Sequence, residues 1–107
     1  MKKSDLYGFY GMNLGLVHSQ VEEALGICLE ARESGYYGGD YYLLKGDDIS
    51  LVLQENFVED DGELTEDDYP DASILLYVNA TAELADKYRK LLVNKLENVS
   101  LLKSENY

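Results

Sequence analysis

Carboxylates are the most concentrated chemical groups in this 107-residue sequence. Residues 46–86 contain thirteen Asp and Glu side chains and no Lys or Arg. Residues 1–45 carry a net charge of −2 and residues 87–107 carry +3, so the overall charge of −12 arises in the middle of the chain. Crowded carboxylates repel one another, stay hydrated and produce a strong negative field. The sequence therefore predicts a local surface that attracts cations.

This charge distribution restricts the class of partner. Proteins bind nucleic acids and anionic membranes mainly through their Lys and Arg side chains. Because this chain is strongly acidic, we expect no nucleic-acid partner and no membrane partner. A basic protein or a cationic small molecule fits the field, and solubility alone is the simplest alternative. The initial Met-Lys-Lys lacks the long apolar run of a signal peptide, and the single Cys28 cannot form an internal disulfide. We therefore expect a cytoplasmic protein.

Residues typical of catalytic and metal sites are few. His18 is the only histidine, and a lone His makes neither a zinc site nor a catalytic triad. Cys28 lies on the apolar face of a predicted helix, which favours a buried thiol over a nucleophile. The acids lack EF-hand spacing, and weak Ca²⁺ binding is the alternative left open. We predict no enzymatic activity, no metal and no cofactor.

Tyrosine is abundant, with ten Tyr against two Phe and no Trp. Tyr36, Tyr37, Tyr41 and Tyr42 cluster around a pair of glycines. Tyr is enriched at protein interfaces, but it also has a high strand propensity. This tyrosine cluster is therefore either an interface or ordinary sheet packing.

The most regular apolar pattern predicts a helix over residues 19–34. Ser19 and Glu22 have the spacing of a capping box, and Gly35 is a suitable left-handed stop. The inward face of this helix repeats with a period of 3.6 residues and carries Val21, Ala24, Leu25, Cys28 and Leu29.

Alternating or continuous apolar runs predict five strands, over residues 6–10, 40–45, 49–57, 72–78 and 98–103. The run at 72–78 is apolar on both faces, which fits a central strand covered on both sides or a strand paired within a barrel-like sheet. A second helix begins at Asn79 or Thr81 and turns its leucines inward.

These elements predict a single domain of the α+β class over residues 1–107. One mostly antiparallel sheet carries two helices in the order β-α-β-β-β-α-β. Residues 58–71 lack periodicity and hold Gly62 and Pro70, so we predict a long exposed acidic loop. The predicted core joins the helices to the sheet through Leu25, Cys28, Leu75, Leu91 and Leu92.

Part of the chain resembles a glyoxalase-type (vicinal-oxygen-chelate) module. Residues 73–92 are similar to the opening strand and helix of that module, and residues 40–57 are similar to its paired strands. The family's enzymes place His and Glu metal ligands on strands, whereas His18 lies off the predicted strands. The resemblance therefore implies the non-catalytic branch, acidic proteins that sequester cationic glycopeptides such as bleomycin, here acting as a dimer.

The acid run at residues 59–71 and the neighbouring tyrosines resemble small immunity proteins of bacterial toxin systems, including contact-dependent growth inhibition. This resemblance implies that the chain neutralises a basic, nuclease-type toxin by covering its active site with carboxylates. Phe57 and Tyr69 would supply the desolvated aromatic anchors. The expected partner-binding residues are Phe57, Glu59, Asp60, Asp61, Glu63, Glu66, Asp67, Asp68 and Tyr69. We adopt this prediction and keep the cationic small-molecule binder as the alternative.

Overall fold

Six strands and two helices form the described part of the chain, which comprises residues 2–34, 39–57 and 64–106 of a computed structural model. The elements run β1 (Lys2–Phe9), α1 (Leu14–Leu25), β2 (Glu30–Ser34), β3 (Gly39–Lys45), β4 (Ile49–Glu55), β5 (Ile74–Thr81), α2 (Ala82–Lys95) and β6 (Val99–Asn106). The predicted α+β class is confirmed, and the predicted elements follow one another in the predicted order. The structure adds one strand, β2.

All strands belong to one sheet with the order β2-β3-β4-β5-β1-β6, and every neighbouring pair is antiparallel. β5 lies in the interior of the sheet between β4 and β1. Its first three residues, Ile74, Leu75 and Leu76, are buried although they alternate between the two faces. The prediction of a central strand covered on both faces is therefore confirmed.

Helix α1 differs from its prediction at both ends. Asn13 caps it by accepting a hydrogen bond from the Leu16 amide (2.9 Å), and Gly26 ends it with a φ of 67°. Ser19 lies inside the helix, where its hydroxyl donates to the Gly15 carbonyl. The predicted capping box is therefore wrong, and the predicted stop at Gly35 lies outside the described residues.

The segment after Gly26 is extended rather than helical, so residues 30–34 form β2. The Glu22 carboxylate accepts a hydrogen bond from the Leu29 amide (2.7 Å), which turns the chain away from the helix axis. Leu29 stays buried, whereas Cys28 is exposed, so its predicted inward position is wrong. The apolar spacing of residues 21–29 mimics a longer helix, because residues beyond a tight turn can also face the core.

Helix α2 begins after Thr81, whose hydroxyl accepts a hydrogen bond from the Leu84 amide (3.4 Å). Of the two candidate caps, Asn79 and Thr81, the structure therefore uses Thr81.

The two faces of the sheet carry separate apolar clusters. Both helices pack on one face, where Leu25 and Leu92 join the larger cluster with Leu91 partly buried against it. Leu75 points to the other face, in a smaller cluster with Leu6 and Ala72 that partly buried side chains cover, namely Tyr10, Tyr69, Tyr77 and Leu102. The predicted core is therefore correct for Leu25 and Leu92 and wrong in placing Leu75 with them.

Candidate functional site

The most acidic described segment, residues 64–73, is folded against the sheet face opposite the helices. We call it the acidic turn. It contains no helix or strand, but the Tyr69 amide donates to the Glu66 carbonyl (3.1 Å) and the Ala72 amide donates to the Tyr69 carbonyl (3.2 Å). Ala72 is buried in the smaller apolar cluster. The acidic turn therefore covers part of the core as well as carrying charge.

The side chain of Asn56, which is 3% exposed, holds the acidic turn in place. Its amide nitrogen Nδ2 lies 3.3 Å from the carbonyl oxygen of Glu66, 3.0 Å from that of Tyr69 and 2.9 Å from that of Ala72. Its oxygen Oδ1 accepts a 2.7 Å hydrogen bond from the Glu66 amide. One buried side chain thus satisfies backbone groups that no strand or helix pairs.

Two tyrosine hydroxyls add further contacts between the acidic turn and the sheet. Tyr69 donates to the carbonyl of Leu102 in β6 (3.2 Å), and Tyr77 in β5 donates to Oε1 of Glu66 (2.7 Å). Burial, and then the hydrogen bond to the Glu66 carboxylate, raise the pKa of Tyr77 well above its usual range. The neutral hydroxyl is therefore the form that the fold favours.

The last residue of the acidic turn, Ser73, is hydrogen-bonded to the segment that precedes α1. The Ser73 amide donates to the carbonyl of Phe9 (2.9 Å), and the Ser73 hydroxyl donates to the carbonyl of Met12 (2.9 Å). Both acceptors precede α1 in the chain.

The structure places five of the predicted partner-binding residues and separates their roles. Asp67 and Asp68 are exposed, and Phe57 is 41% exposed immediately after Asn56. Glu66 and Tyr69 are half-buried and hydrogen-bonded within the fold. The other four, Glu59, Asp60, Asp61 and Glu63, lie outside the described residues.

The exposed acids of the acidic turn are Asp67, Asp68 and Asp71. Within residues 2–34, 39–57 and 64–106, none of them forms an ion pair. Carboxylates crowded in this way repel one another, and hydrogen bonds from neutral groups hold the backbone beneath them. The result is a patch of uncompensated negative charge on a fixed backbone.

A polar cluster around the buried Asp5, which sequence reasoning missed, joins β1, α2 and β6. Asp5, 1% exposed, accepts a hydrogen bond from the Ser104 hydroxyl, and its Oδ2 lies 3.5 Å from Nη2 of Arg89. Nη2 of Arg89 also donates to Ser104 Oγ (3.2 Å). Burial, and then the charge of Asp5, raise the pKa of the neighbouring Tyr7 to about 12. The alternation of β1 is the only sequence signal, since it sends Asp5 to the same face as Tyr7.

His18 packs against Tyr42 and lies close to Glu22. Its ring stacks on Tyr42 with the centroids 3.8 Å apart, and Nε2 lies 3.1 Å from Oε2 of Glu22. The described ranges hold no group of three or more His, Cys, Asp or Glu side chains arranged to bind a metal.

Part of the predicted tyrosine cluster lines a cleft of about 440 Å³ between the start of α1 and strands β2 and β3. Tyr41 and Tyr42 lie in its wall with the acids Asp40 and Glu55. Arg32, which also lines it, pairs with Glu30 at 2.8 Å. Tyr36 and Tyr37 lie outside the described residues.

No protein-family model, curated protein or solved structure matches this chain. Neither described helix is long and apolar enough to cross a membrane. The functional proposals below rest on the acidic turn and the tyrosine-lined cleft.

Proposed function

We propose that this protein is an immunity protein that binds and neutralises a basic, nuclease-type toxin domain through the acidic turn and Phe57. The observation that carries this proposal is the set of exposed carboxylates of Asp67, Asp68 and Asp71, which form no ion pair with any described residue, on a backbone held by Asn56. A solubilising surface needs charge but no fixed arrangement of it, whereas recognition needs both.

The inhibitory action follows from the chemistry of a nuclease cleft. Such a cleft binds phosphates with Lys and Arg side chains, and carboxylates placed there pair with the same cations and exclude the nucleic acid. A concentrated negative field also speeds the encounter with a basic partner, by roughly 10–10³-fold at low salt. Glu59, Asp60, Asp61 and Glu63 belong to the same acid run in the sequence and add to this field.

Phe57 is the aromatic side chain that a partner can bury. Hot spots of protein interfaces are desolvated aromatic or Arg side chains surrounded by polar contacts. Phe57 is 41% exposed and directly follows Asn56, whose side chain is bonded to the acidic turn, whereas the Tyr69 hydroxyl is already bonded to β6. Of the two predicted anchors, Phe57 is therefore the stronger candidate.

We further propose that the protein acts in the cytoplasm and without catalysis. Cys28 is free and exposed, which suits a reducing compartment. A nuclease inhibitor needs no chemistry of its own, because occupation of the toxin's active site is sufficient.

The test uses the toxin domain encoded by a gene adjoining this one. Cleavage of RNA or DNA by that domain is measured with the wild-type protein, with Asp67→Asn/Asp68→Asn/Asp71→Asn, and with the control Glu23→Gln/Glu83→Gln/Glu97→Gln. Both variants remove three exposed acids, but only the first alters the acidic turn. We expect the first to lose inhibition and the control to retain it. Equal inhibition by all three proteins, or a neighbourhood without a toxin gene, would contradict the proposal.

The tyrosine-lined cleft supports a second candidate function, the binding of a cationic small molecule. Asp40 and Glu55 supply negative charge, and Tyr41 and Tyr42 supply aromatic surface of the kind that cations contact. Titration with bleomycin, monitored by calorimetry, tests this candidate. Binding that is lost in Asp40→Asn/Glu55→Gln, by a protein whose native mass is that of a dimer, would favour it over the immunity function.

A further inference from the structure

We infer that Asn56 is a positioning residue for the partner-binding surface, and that its side-chain amide fixes the arrangement of the carboxylates of the acidic turn. This inference rests on the proposed function and adds a residue that the sequence did not indicate. Asn56 is only 3% exposed, so it does not contact the partner itself. It acts through the backbone that carries Asp67, Asp68 and Asp71.

The hydrogen bonds of Asn56 explain how this residue holds the acidic turn in place. Nδ2 lies within hydrogen-bonding distance of the carbonyl oxygens of Glu66, Tyr69 and Ala72, and Oδ1 accepts from the Glu66 amide. The backbone amide of Asn56 also donates to the carbonyl of Ser73 (2.9 Å). Both ends of the acidic turn are therefore fastened to this single position.

The opposing force is the mutual repulsion of the acids. Glu66, Asp67, Asp68 and Asp71 lie within one short segment, and the described residues supply them with no ion pair. Without the hydrogen bonds of Asn56, the carboxylates of this segment would move apart into solvent. A partner would then have to order the segment as it binds. The apparent affinity would fall in proportion to the fraction of time that the free segment spends in the conformation that binds.

A substitution of Asn56 should therefore change the positions of the carboxylates without changing their charge. Asn56→Ala keeps every carboxylate, so the dependence of affinity on salt, which reports charge, should stay as in the wild-type protein. The affinity itself should fall about tenfold or more, as expected if the turn is competent about one-tenth of the time. Neutralising Asp67, Asp68 and Asp71 should instead flatten the salt dependence.

The experiment combines hydrogen exchange of the free protein with binding to the purified toxin domain used above. In Asn56→Ala we expect exchange of the Glu66, Tyr69 and Ala72 amides to accelerate about tenfold or more, with the amides of β5 still protected. Thr81→Ala serves as the control, because it removes the cap of α2 and lowers overall stability away from the acidic turn. It should leave both affinity and salt dependence unchanged.

If Asn56→Ala does not fold, Tyr69→Phe/Tyr77→Phe replaces it, since this variant removes the two hydroxyl contacts of the acidic turn and changes no charge at neutral pH. Unchanged exchange of the turn amides, or wild-type affinity despite faster exchange, overturns the inference about Asn56. Wild-type affinity and salt dependence in the charge-neutralised variant instead overturns the proposed function. The two failures are thereby distinguished.

Discussion

The hydroxyl of Tyr77 donates a 2.7 Å hydrogen bond to the carboxylate of Glu66, although the two residues belong to different kinds of structure. Tyr77 is on the central strand β5, and Glu66 is on the acidic turn. This contact makes one acid of the segment part of the fold, while Asp67 and Asp68, the next two residues, remain exposed. We therefore expect acids that are adjacent in the sequence to affect stability in opposite directions.

Gly8 is required for the smaller apolar cluster to close. A Cβ atom at this position would lie 2.7 Å from Cδ1 of Leu102 and 2.9 Å from Cβ of Ala72. Gly8→Ala should therefore destabilise the protein by about 1–3 kcal/mol. Gly15→Ala in α1 is the matched control, because its new methyl meets only Oδ1 of the capping Asn13, at 3.6 Å, and should stabilise by about 0.5–1 kcal/mol. Urea unfolding of both variants measures these changes, and equal effects would contradict the packing.

Arg89 should contribute to stability mainly by compensating the buried charge of Asp5. Removing one partner of a buried pair typically costs about 3–5 kcal/mol, whereas replacing both with apolar residues costs much less. Because the Arg89 side chain is 34% exposed, we expect the loss in Arg89→Leu to lie toward the lower figure.

The double variant Asp5→Leu/Arg89→Leu is the control for this pair. It should recover a large part of the stability lost in Arg89→Leu, as measured by a double-mutant cycle of unfolding free energies. Additive losses in the two single variants would show that the pair is not coupled.

The pH dependence of stability should reveal the buried hydroxyl of Tyr7. Its folded pKa is raised to about 12 from an ordinary value of about 10, so the fold favours the neutral form. The contribution is fully present below pH 10 and is lost as the pH rises through 12, which destabilises the protein by up to roughly 2–3 kcal/mol.

Tyr7→Phe should lose less stability than the wild-type protein across this alkaline range. The difference between the two proteins isolates Tyr7, because Tyr77 titrates in both. Urea unfolding at neutral and alkaline pH measures the difference. Parallel curves for the two proteins would contradict the assignment.

Five of the six strands and α2 could be predicted from the sequence, because apolar runs and a capping threonine are local signals. The limits of α1 could not, since a buried Leu29 after the turn at Gly26 continues the helical spacing. The role of Asn56 could not be predicted either, because its four hydrogen bonds are to residues 10 to 16 positions away in the chain. The same applies to Asp5, whose partners Arg89 and Ser104 lie at the far end of the chain. Composition predicted the acidic surface, but the roles of its individual acids depend on contacts that only the fold creates.

Neutralising single acids of the acidic turn should separate those that repel from those that bond. Asp67→Asn and Asp68→Asn remove exposed charges that have no ion-pair partner among the described residues, so stability should stay constant or rise by a few tenths of a kcal/mol at low salt, roughly the size of exposed charge effects. Glu66→Gln removes one charge as well but replaces the acceptor of the Tyr77 hydroxyl with a neutral amide oxygen.

Because hydrogen bonds to charged groups are worth about 1.5–3 kcal/mol and those between neutral groups about 1, Glu66→Gln should lower stability by about 1 kcal/mol. Added salt should stabilise the wild-type protein more than the Asp variants, since it screens a repulsion that they have already lost. Unfolding free energies at low and high ionic strength measure both effects. Equal changes in all three variants would mean that Glu66 is as solvated as its neighbours and that the contact with Tyr77 does not hold the acidic turn.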